Sequence, residues 1–290
     1  MWTVEQGVQD LLEGMELTQP QREAVTRQHE VVCKVLRERL KLEEQFLSGS
    51  YGRGTAIRPL HDVDLFVVMD PTRFPRDDSS PDALLQQVRG AFMQEWSERK
   101  PPTPQRHSLG LDFTTSGIHI DVVPAYKGSR GGYVIPQRDT GMWIPTDPKV
   151  HEVAGMRADE KAGHRLNHLI KLVKQWNRNQ ASSPLRSFHL EVMSHEAFTS
   201  MPRGSYLEVL EVLFQFLSER VMRPCVDPAG LGNAVDARMD EGRRREFARD
   251  LLRGAAQTVQ LAFAERLVNP ESAHARLAEF FGPMYRKRAP

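Results

Sequence analysis

The sequence predicts an α+β protein, a mixed β-sheet entered by a long N-terminal spine helix and followed by a helical lobe, with a cleft between the two. Three observations carry this. Residues 63 to 69, VDLFVVM, are a nearly unbroken apolar run of the kind that a central strand buried on both faces requires. Ile118, Ile120 and Val122 alternate with His119, Asp121 and Val123, the period-2 pattern of a second strand. From Pro148 almost to the end the composition shifts to helix formers.

The elements follow in order. Over residues 20 to 44, Ala24, Val25, Val31, Val32, Val35, Leu36 and Leu40 recur at helical spacing among charged residues, after a Pro20 suited to a helix start; this is the spine. Gln45 to Ser50 is a short segment ending at Gly49, and with the strand at 63 to 69 it flanks a glycine-rich turn. Residues 70 to 82 hold three prolines and both charge signs, a loop from which Asp82 is placed to cap a helix running to about Arg99. Ser108 to Thr115 and Gly117 to Tyr126 form a strand pair through a Ser-Gly turn. A loop at 127 to 132 and a strand through Trp143 come next. Helices are then expected at about 159 to 179, 185 to 199, 204 to 222, 241 to 268 and 271 to 285, interrupted most clearly at Asp227-Pro228-Ala229-Gly230. The boundary falls near Thr146 to Ala158, dividing the chain into 1–150, the sheet domain with its spine, and 151–290, the helical lobe.

Composition removes several function classes. The chain has 290 residues with 39 Lys+Arg against 38 Asp+Glu, a net charge of +1, so no overall positive field draws it to nucleic acid. Its strongest apolar run, Leu65 to Met69, is far short of the roughly 20 residues that span a bilayer. The start, MWTVE, lacks a basic stretch followed by an apolar one, so no secretory signal is expected and the expected location is the cytoplasm, without a membrane partner. Cys33 and Cys225 belong to no disulfide framework or zinc-spaced cluster.

The chemistry converges on residues 49 to 66, GSYGRGTAIRPLHDVDLF, together with Asp121. Asp62 and Asp64 are two apart on a strand, so both carboxylates share a face and interrupt an apolar core strand. Burying two like charges is costly, and the usual compensation is a divalent cation; hard oxygen ligands suit magnesium. A third carboxylate on a neighbouring strand, Asp121, would complete a site for two ions serving in-line phosphoryl or nucleotidyl transfer. Gly49 lets backbone N–H groups approach a phosphate, and the Ser50 hydroxyl adds a donor. GSYGRGT is neither a Walker A loop nor a GxGxxG fingerprint.

Less pointed readings stand beside these. Asp62 and Asp64 could be a solvated strand end or form a structural ion pair, with Arg58 as a partner, and Asp121 could be a surface position. Ser187 could simply cap its helix. Arg53 could grip phosphates or form a surface ion pair. His164 and His168, at i, i+4, are expected to be exposed helix histidines. The runs Arg243-Arg244-Arg245 and Arg286-Lys287-Arg288 are expected to be solvated surface. Trp176, Phe188, Phe214 and Phe216 are expected in the core, and Tyr133 is a candidate for stacking on a base.

Gly49-Ser50, Asp62-Val63-Asp64 and the later Asp121 resemble the polymerase-beta-type nucleotidyltransferase superfamily. Within it the chain is similar to the cGAS/DncV-like nucleotidyltransferases (CD-NTases) of bacterial antiphage signalling (CBASS) and their oligoadenylate synthetase relatives. The narrower likeness rests on the extended GSYGRGTAIRP turn, Trp143 to Pro148, the segment Leu169 to Asn177, Ser187 to Glu191, and Val226-Asp227-Pro228 with Asn233. The resemblance covers roughly residues 45 to 240. It implies that Asp62, Asp64 and Asp121 bind two magnesium ions, with manganese able to substitute, and that Gly49 and Ser50 hold the donor triphosphate. It further implies that Lys174 and Ser187 reach its phosphates from the helical lobe. The helix itself agrees for Lys174, since Leu169, Leu172, Val173 and Trp176 make an apolar face that would leave a lysine toward the cleft, although Lys171 lies one turn earlier.

The implied activity joins nucleoside triphosphates, ATP and GTP foremost, into a cyclic di- or trinucleotide second messenger that a downstream effector reads. Linear oligonucleotide synthesis and RNA or tRNA tailing are the alternatives. The chain carries no zinc insertion of the animal DNA sensor, so no direct requirement for double-stranded DNA is expected.

Overall fold

The computed structural model describes residues 2–60, 62–76, 79–96 and 100–286; His61, Arg99, Lys287 and Arg288 of the segments discussed above lie outside them. The chain opens with a helix that the sequence reading did not foresee, α1 (Val4–Met15), started by a capping box between Thr3 and Gln6 and burying Val4, Val8, Leu11, Leu12 and Met15. A second capping box, Thr18 with Gln21, starts the spine helix α2 (Gln19–Arg39). The spine stops there instead of running to residue 44, because Leu42–Ser48 forms strand β1, paired antiparallel to the central strand β2 (Val63–Met69). Between them Gly49–Gly52 makes a single helical turn, α3.

Helix α4 (Pro81–Glu95) is capped by Ser80, whose hydroxyl accepts from the Ala83 amide at 3.1 Å; Asp82 instead accepts from Arg138 at 2.7 Å. Strands β3 (Thr103–Pro104), β4 (Leu109–Phe113) and β5 (Ile118–Lys127) follow. The hairpin β6 (Tyr133–Gln137) and β7 (Met142–Thr146) then extends the far end of β5. The sheet order is β1-β2-β5-β4-β3, with β2 and β5 parallel. Helices α5 (Pro148–Lys161), α6 (Leu166–Arg178), α7 (Ser187–Ser194), α8 (Tyr206–Arg220), α9 (Arg244–Glu265) and α10 (Pro270–Phe281) complete the chain. The helix expected at 159 to 179 is thus two, broken at Gly163 and at His164, whose φ is +59°. His164 and His168 therefore do not share a helix, and His168 is bound to the Tyr206 hydroxyl at 2.8 Å.

Two large apolar cores hold the described residues together, with smaller clusters around Phe66 and Ala162. One face of the sheet packs on α2 and α4 around Val32, Leu36, Leu65, Val67, Leu84, Phe92 and Val122. The other core joins α6 to α10 around Leu172, Trp176, Leu210, Phe214 and Phe281, and takes in α1 from the opposite end of the chain together with Ile57 of the turn. Trp176 and Phe214 are buried as expected. Among the described residues no helix is long and apolar enough to cross a membrane.

Candidate active site

The site begins with backbone register. Parallel pairing of β2 with β5 sets Asp64 beside Asp121, and on the other flank Ser48 of β1 is opposite Asp64. The i, i+2 spacing returns Asp62, at the exposed mouth of β2, to the same face. Gly49 lies directly against the Asp64 carboxylate. Its φ is +62°, and a Cβ there would sit 1.8 Å from Asp64 Oδ2, so only glycine lets the turn and the carboxylate occupy this space.

The electrostatics record the crowding. Burial, and then the charges of Asp62 and Asp121, push the Asp64 carboxyl up to about 6 against the opposing pull of Arg53. Asp121 is likewise raised, by burial first, despite His119 and Ser108. Ser108 Oγ donates to Asp121 at 3.4 Å, and His119 places Nε2 3.3 Å from Asp121 and Nδ1 2.7 Å from Asp112. Burial pulls the His119 pKa down, but its bonds to Asp112 and the charge of Asp121 raise it overall, favouring the imidazolium that donates from both nitrogens. The ion pair weighed for Arg58 is not made with these aspartates, because its Nε donates to the Gly14 carbonyl at 2.7 Å.

The donor set fits a hard divalent cation. Negative charge is concentrated on carboxylate oxygens, and Arg53, the cation acting on Asp64, is already committed to Glu191 at 2.8 Å. Among the described residues no three acidic or histidine side chains close around one point. Carboxylate oxygens are the ligand type that magnesium takes beside waters and phosphate oxygens.

The remaining sequence candidates fall in different places. Ser50 lies in α3, half-buried, its carbonyl accepting from the amides of Thr55 and Ala56 while its hydroxyl makes no bond to a described residue. Ser187 is exposed at the start of α7 and does not cap it; Arg186 is the cap residue and supplies no side-chain bond. Lys174 is buried. Its ammonium donates to Glu191 at 3.0 Å and to the Thr55 carbonyl at 2.8 Å, so it lies beneath the turn and not in the open cleft. Lys171 pairs with Glu16 of the α1–α2 connection. Arg53 does not make a surface ion pair: its side chain, 10% exposed, is bonded to the buried Glu191, with its guanidinium 4.8 Å from the Phe188 ring centre.

Other residues were missed. Phe188, expected in the core, lines the cleft beside His151, and Arg178 at the end of α6 feels the charge of Asp62. Tyr133, proposed to stack on a base, is buried on β6 against Phe46 and Phe66 and donates its hydroxyl to Glu44 at 2.8 Å. Of the first arginine run, Arg245 is a half-buried anchor bonded to Asp236 at 2.7 Å.

Residues 1–156 match the family model described as the Second Messenger Oligonucleotide or Dinucleotide Synthetase domain. Over 204 residues the chain is 29% identical to the Cyclic AMP-AMP-AMP synthase of Acinetobacter sp. (strain ATCC 27244 / 9458), covering 64% of this chain and 56% of that protein. Over 192 residues it is 27% identical to the Cyclic AMP-AMP-AMP synthase of Escherichia coli (strain MS 115-1), covering 63% and 59%. The chain thus spans less than two thirds of the length of these relatives. Among solved structures, the E. coli MS115-1 CdnC:HORMA-deltaN complex superposes with a TM-score of 0.75 at 18% identity, covering 98% of both chains. The Bradyrhizobium diazoefficiens CD-NTase CdnG in complex with GTP superposes with a TM-score of 0.76 at 15% identity, covering 96% and 95%. At these identities the likeness establishes the fold.

Proposed function

The chain belongs to the Second Messenger Oligonucleotide or Dinucleotide Synthetase family, and on that premise we propose that it joins nucleoside triphosphates into a cyclic di- or trinucleotide second messenger, with release of pyrophosphate, in antiphage signalling. The observation that carries the chemistry is Asp64 set beside Asp121 on neighbouring parallel strands, with Gly49 pressed against it. Asp62, Asp64 and Asp121 would hold magnesium, which when bound supplies positive charge at the α-phosphate and at the departing pyrophosphate. Asp121 holds the acceptor ribose hydroxyl and takes its proton. Gly49 admits the donor triphosphate close to the backbone, where the unpartnered Ser50 hydroxyl donates to it, and Ser187 meets it from the first turn of α7. Lys174 reaches a phosphate only by exchanging Glu191 for it; otherwise it holds the turn through Thr55. No protein nucleophile is needed, since an acceptor aligned with the α-phosphorus is the attacking group.

The two curated relatives bear names that specify an all-adenosine product, so ATP is the first substrate to test and GTP the second. The experiment incubates purified protein with magnesium and four labelled nucleoside triphosphates, treats with phosphatase, and identifies resistant products by mass spectrometry. Resistant material without free phosphate ends is expected. A phosphatase-sensitive linear product moves the reading to a linear synthetase or a tailing enzyme, and no product with magnesium or manganese overturns it.

A further inference from the structure

The sheet face that carries Asp64 and Asp121 continues, across one more strand, into polar side chains to which the reaction above gives no task. Asp64 of β2 is beside Asp121 of β5, Gly110 of β4 is opposite Asp121, and Asp112 of β4 is opposite His119 of β5. Strand alternation puts all of these on one face. They run in a line as Asp64, Asp121, His119 and Asp112, and Lys100 closes the far end 2.7 Å from Asp112. We propose that His119 is a positioning residue: hung from Asp112, its imidazole fixes one oxygen of Asp121 and leaves the other for magnesium and the acceptor hydroxyl, a role that rests on the nucleotidyltransferase reading above.

Three observations converge on it. The first is the order of the bonds. His119 Nδ1 is 2.7 Å from Asp112 Oδ1, and Nε2 is 3.3 Å from Asp121 Oδ1. Ionised carboxylates only accept, so a ring lying between two of them donates from both nitrogens. The shorter bond is to Asp112, which makes β4 the anchor and Asp121 the group being held. The second is that the donors meet on one oxygen of Asp121. Ser108 Oγ, shared with Gln105, also reaches Oδ1, at 3.4 Å, whereas Oδ2 makes no hydrogen bond to a described residue. The last torsion of an aspartate is intrinsically soft, so bonds at Oδ1 are what set the plane in which Oδ2 lies. A carboxylate oriented beforehand need not lose that freedom during the reaction, and such contacts tighten when substrate binds.

The third observation is the space beside Asp121. A Cβ on Gly110 would lie 2.8 Å from His119 Cε1 and Nε2 and 2.7 Å from Gln105 Nε2, the two side chains that fill this space 3.4 Å apart. The φ of Gly110 is not positive, so the glycine is needed for room and not for backbone conformation. Strand β4 is thus bare at the position over which the imidazole must lie to reach the carboxylate. A methyl group there would push the ring aside while leaving the histidine in the chain.

The role is tested on the full chain with manganese as the probe. Its binding is read by electron paramagnetic resonance in the presence of a non-hydrolysable ATP analogue, alongside steady-state synthesis. His119→Ala and Gly110→Ala should each weaken manganese binding and lower kcat by about tenfold or more, with KM for ATP within about twofold of wild type. His119→Gln, which keeps a donor near the place of Nε2, should recover most of the loss. Circular dichroism and the melting temperature check that the variants fold. In an Asp121→Ala background, adding His119→Ala should leave manganese affinity unchanged, because the group it acts on has gone. Unchanged or tighter manganese binding in His119→Ala, an equal further loss in the Asp121→Ala background, or a raised KM at unchanged kcat would overturn the role. Wild-type synthesis with an additive manganese cycle removes only the role of His119. Absence of wild-type synthesis removes the transferase reading and leaves the manganese cycle to decide whether His119 holds Asp121.

Discussion

Asp64 shows how strongly a single residue can set fold against chemistry. Its carboxyl interrupts a strand of buried apolar side chains and is pushed up to about 6 by burial, then by Asp62 and Asp121. A raised folded-state pKa means that the metal-free native protein keeps a proton which the unfolded chain loses above about pH 4. Its contribution is therefore least unfavourable below pH 4, and stability falls as pH rises through 6, by up to ~3 kcal/mol at neutral pH. Asp64→Asn removes that loss. The metal-free variant should melt no lower than wild type at pH 8, the difference narrowing at pH 5, while product formation with magnesium drops by about a hundredfold or more. A lower melting temperature at pH 8, or near-normal synthesis, would contradict the assignment. His189 carries the opposite sign. Burial, aided by Arg245 and Arg220 and opposed by Asp236, lowers its pKa to about 4. Its stabilising contribution is complete above about pH 6.5 and lost as pH falls through 4, again by up to ~3 kcal/mol. Urea midpoints from pH 7.5 to 4.5 should fall less steeply in His189→Phe than in wild type.

At the scale of elements, the buried Lys174–Glu191–Arg53 group fastens the glycine turn to α6 and α7. Lys174→Ala leaves Glu191, which is fully buried, with one cation in place of two and frees the Thr55 carbonyl; the expected loss is about 3 kcal/mol. Lys171→Ala leaves Glu16, which is about one-third exposed and can hydrate itself, so about 1 kcal/mol is expected. Urea midpoints and apparent nucleotide affinity should both fall further for Lys174→Ala; the reverse order would transfer the role to Lys171. The same elements show what a sequence can and cannot disclose. Val63–Met69 was legible because burial on both faces writes an apolar run broken only at Asp64, and the shared face of Asp62 and Asp64 was legible because strand alternation fixes which side chains lie together. Strand β1 was not, since Glu43 and Glu44 continue a helical composition and are drawn into the sheet by Lys127, Lys149 and pairing with β2. Helix α1 carried its Thr3–Gln6 capping signal, but the elements it packs on, α6, α8 and α10, all lie in the second half of the chain. Arg53 and Glu191 are 138 residues apart, and no local pattern announces their contact.

For the whole molecule, the near balance of 39 basic and 38 acidic residues matters less than where each charge finds its partner. A protein that grips duplex DNA along its spine needs unpaired cations in a row, because affinity comes from neutralising successive phosphates. On α2 and at Lys41 just beyond it the cations are instead, Arg37 aside, matched to acids. Arg22 pairs with Glu16, Arg27 with Glu23, Lys34 with Glu38, Arg39 with Glu95, and Lys41 with Asp70. These are exposed pairs that contribute little to stability, but each places negative charge where a DNA phosphate would have to approach. Duplex DNA along this face should therefore bind weakly at physiological salt, and nucleotide synthesis should proceed without it. The measurement is fluorescence anisotropy with a long labelled duplex, alongside product formation with and without that duplex, at low and at physiological salt. Weak binding that vanishes with added salt, and unchanged product formation, are expected. Tight binding or strong stimulation surviving at physiological salt would mean that another surface of the molecule recruits DNA.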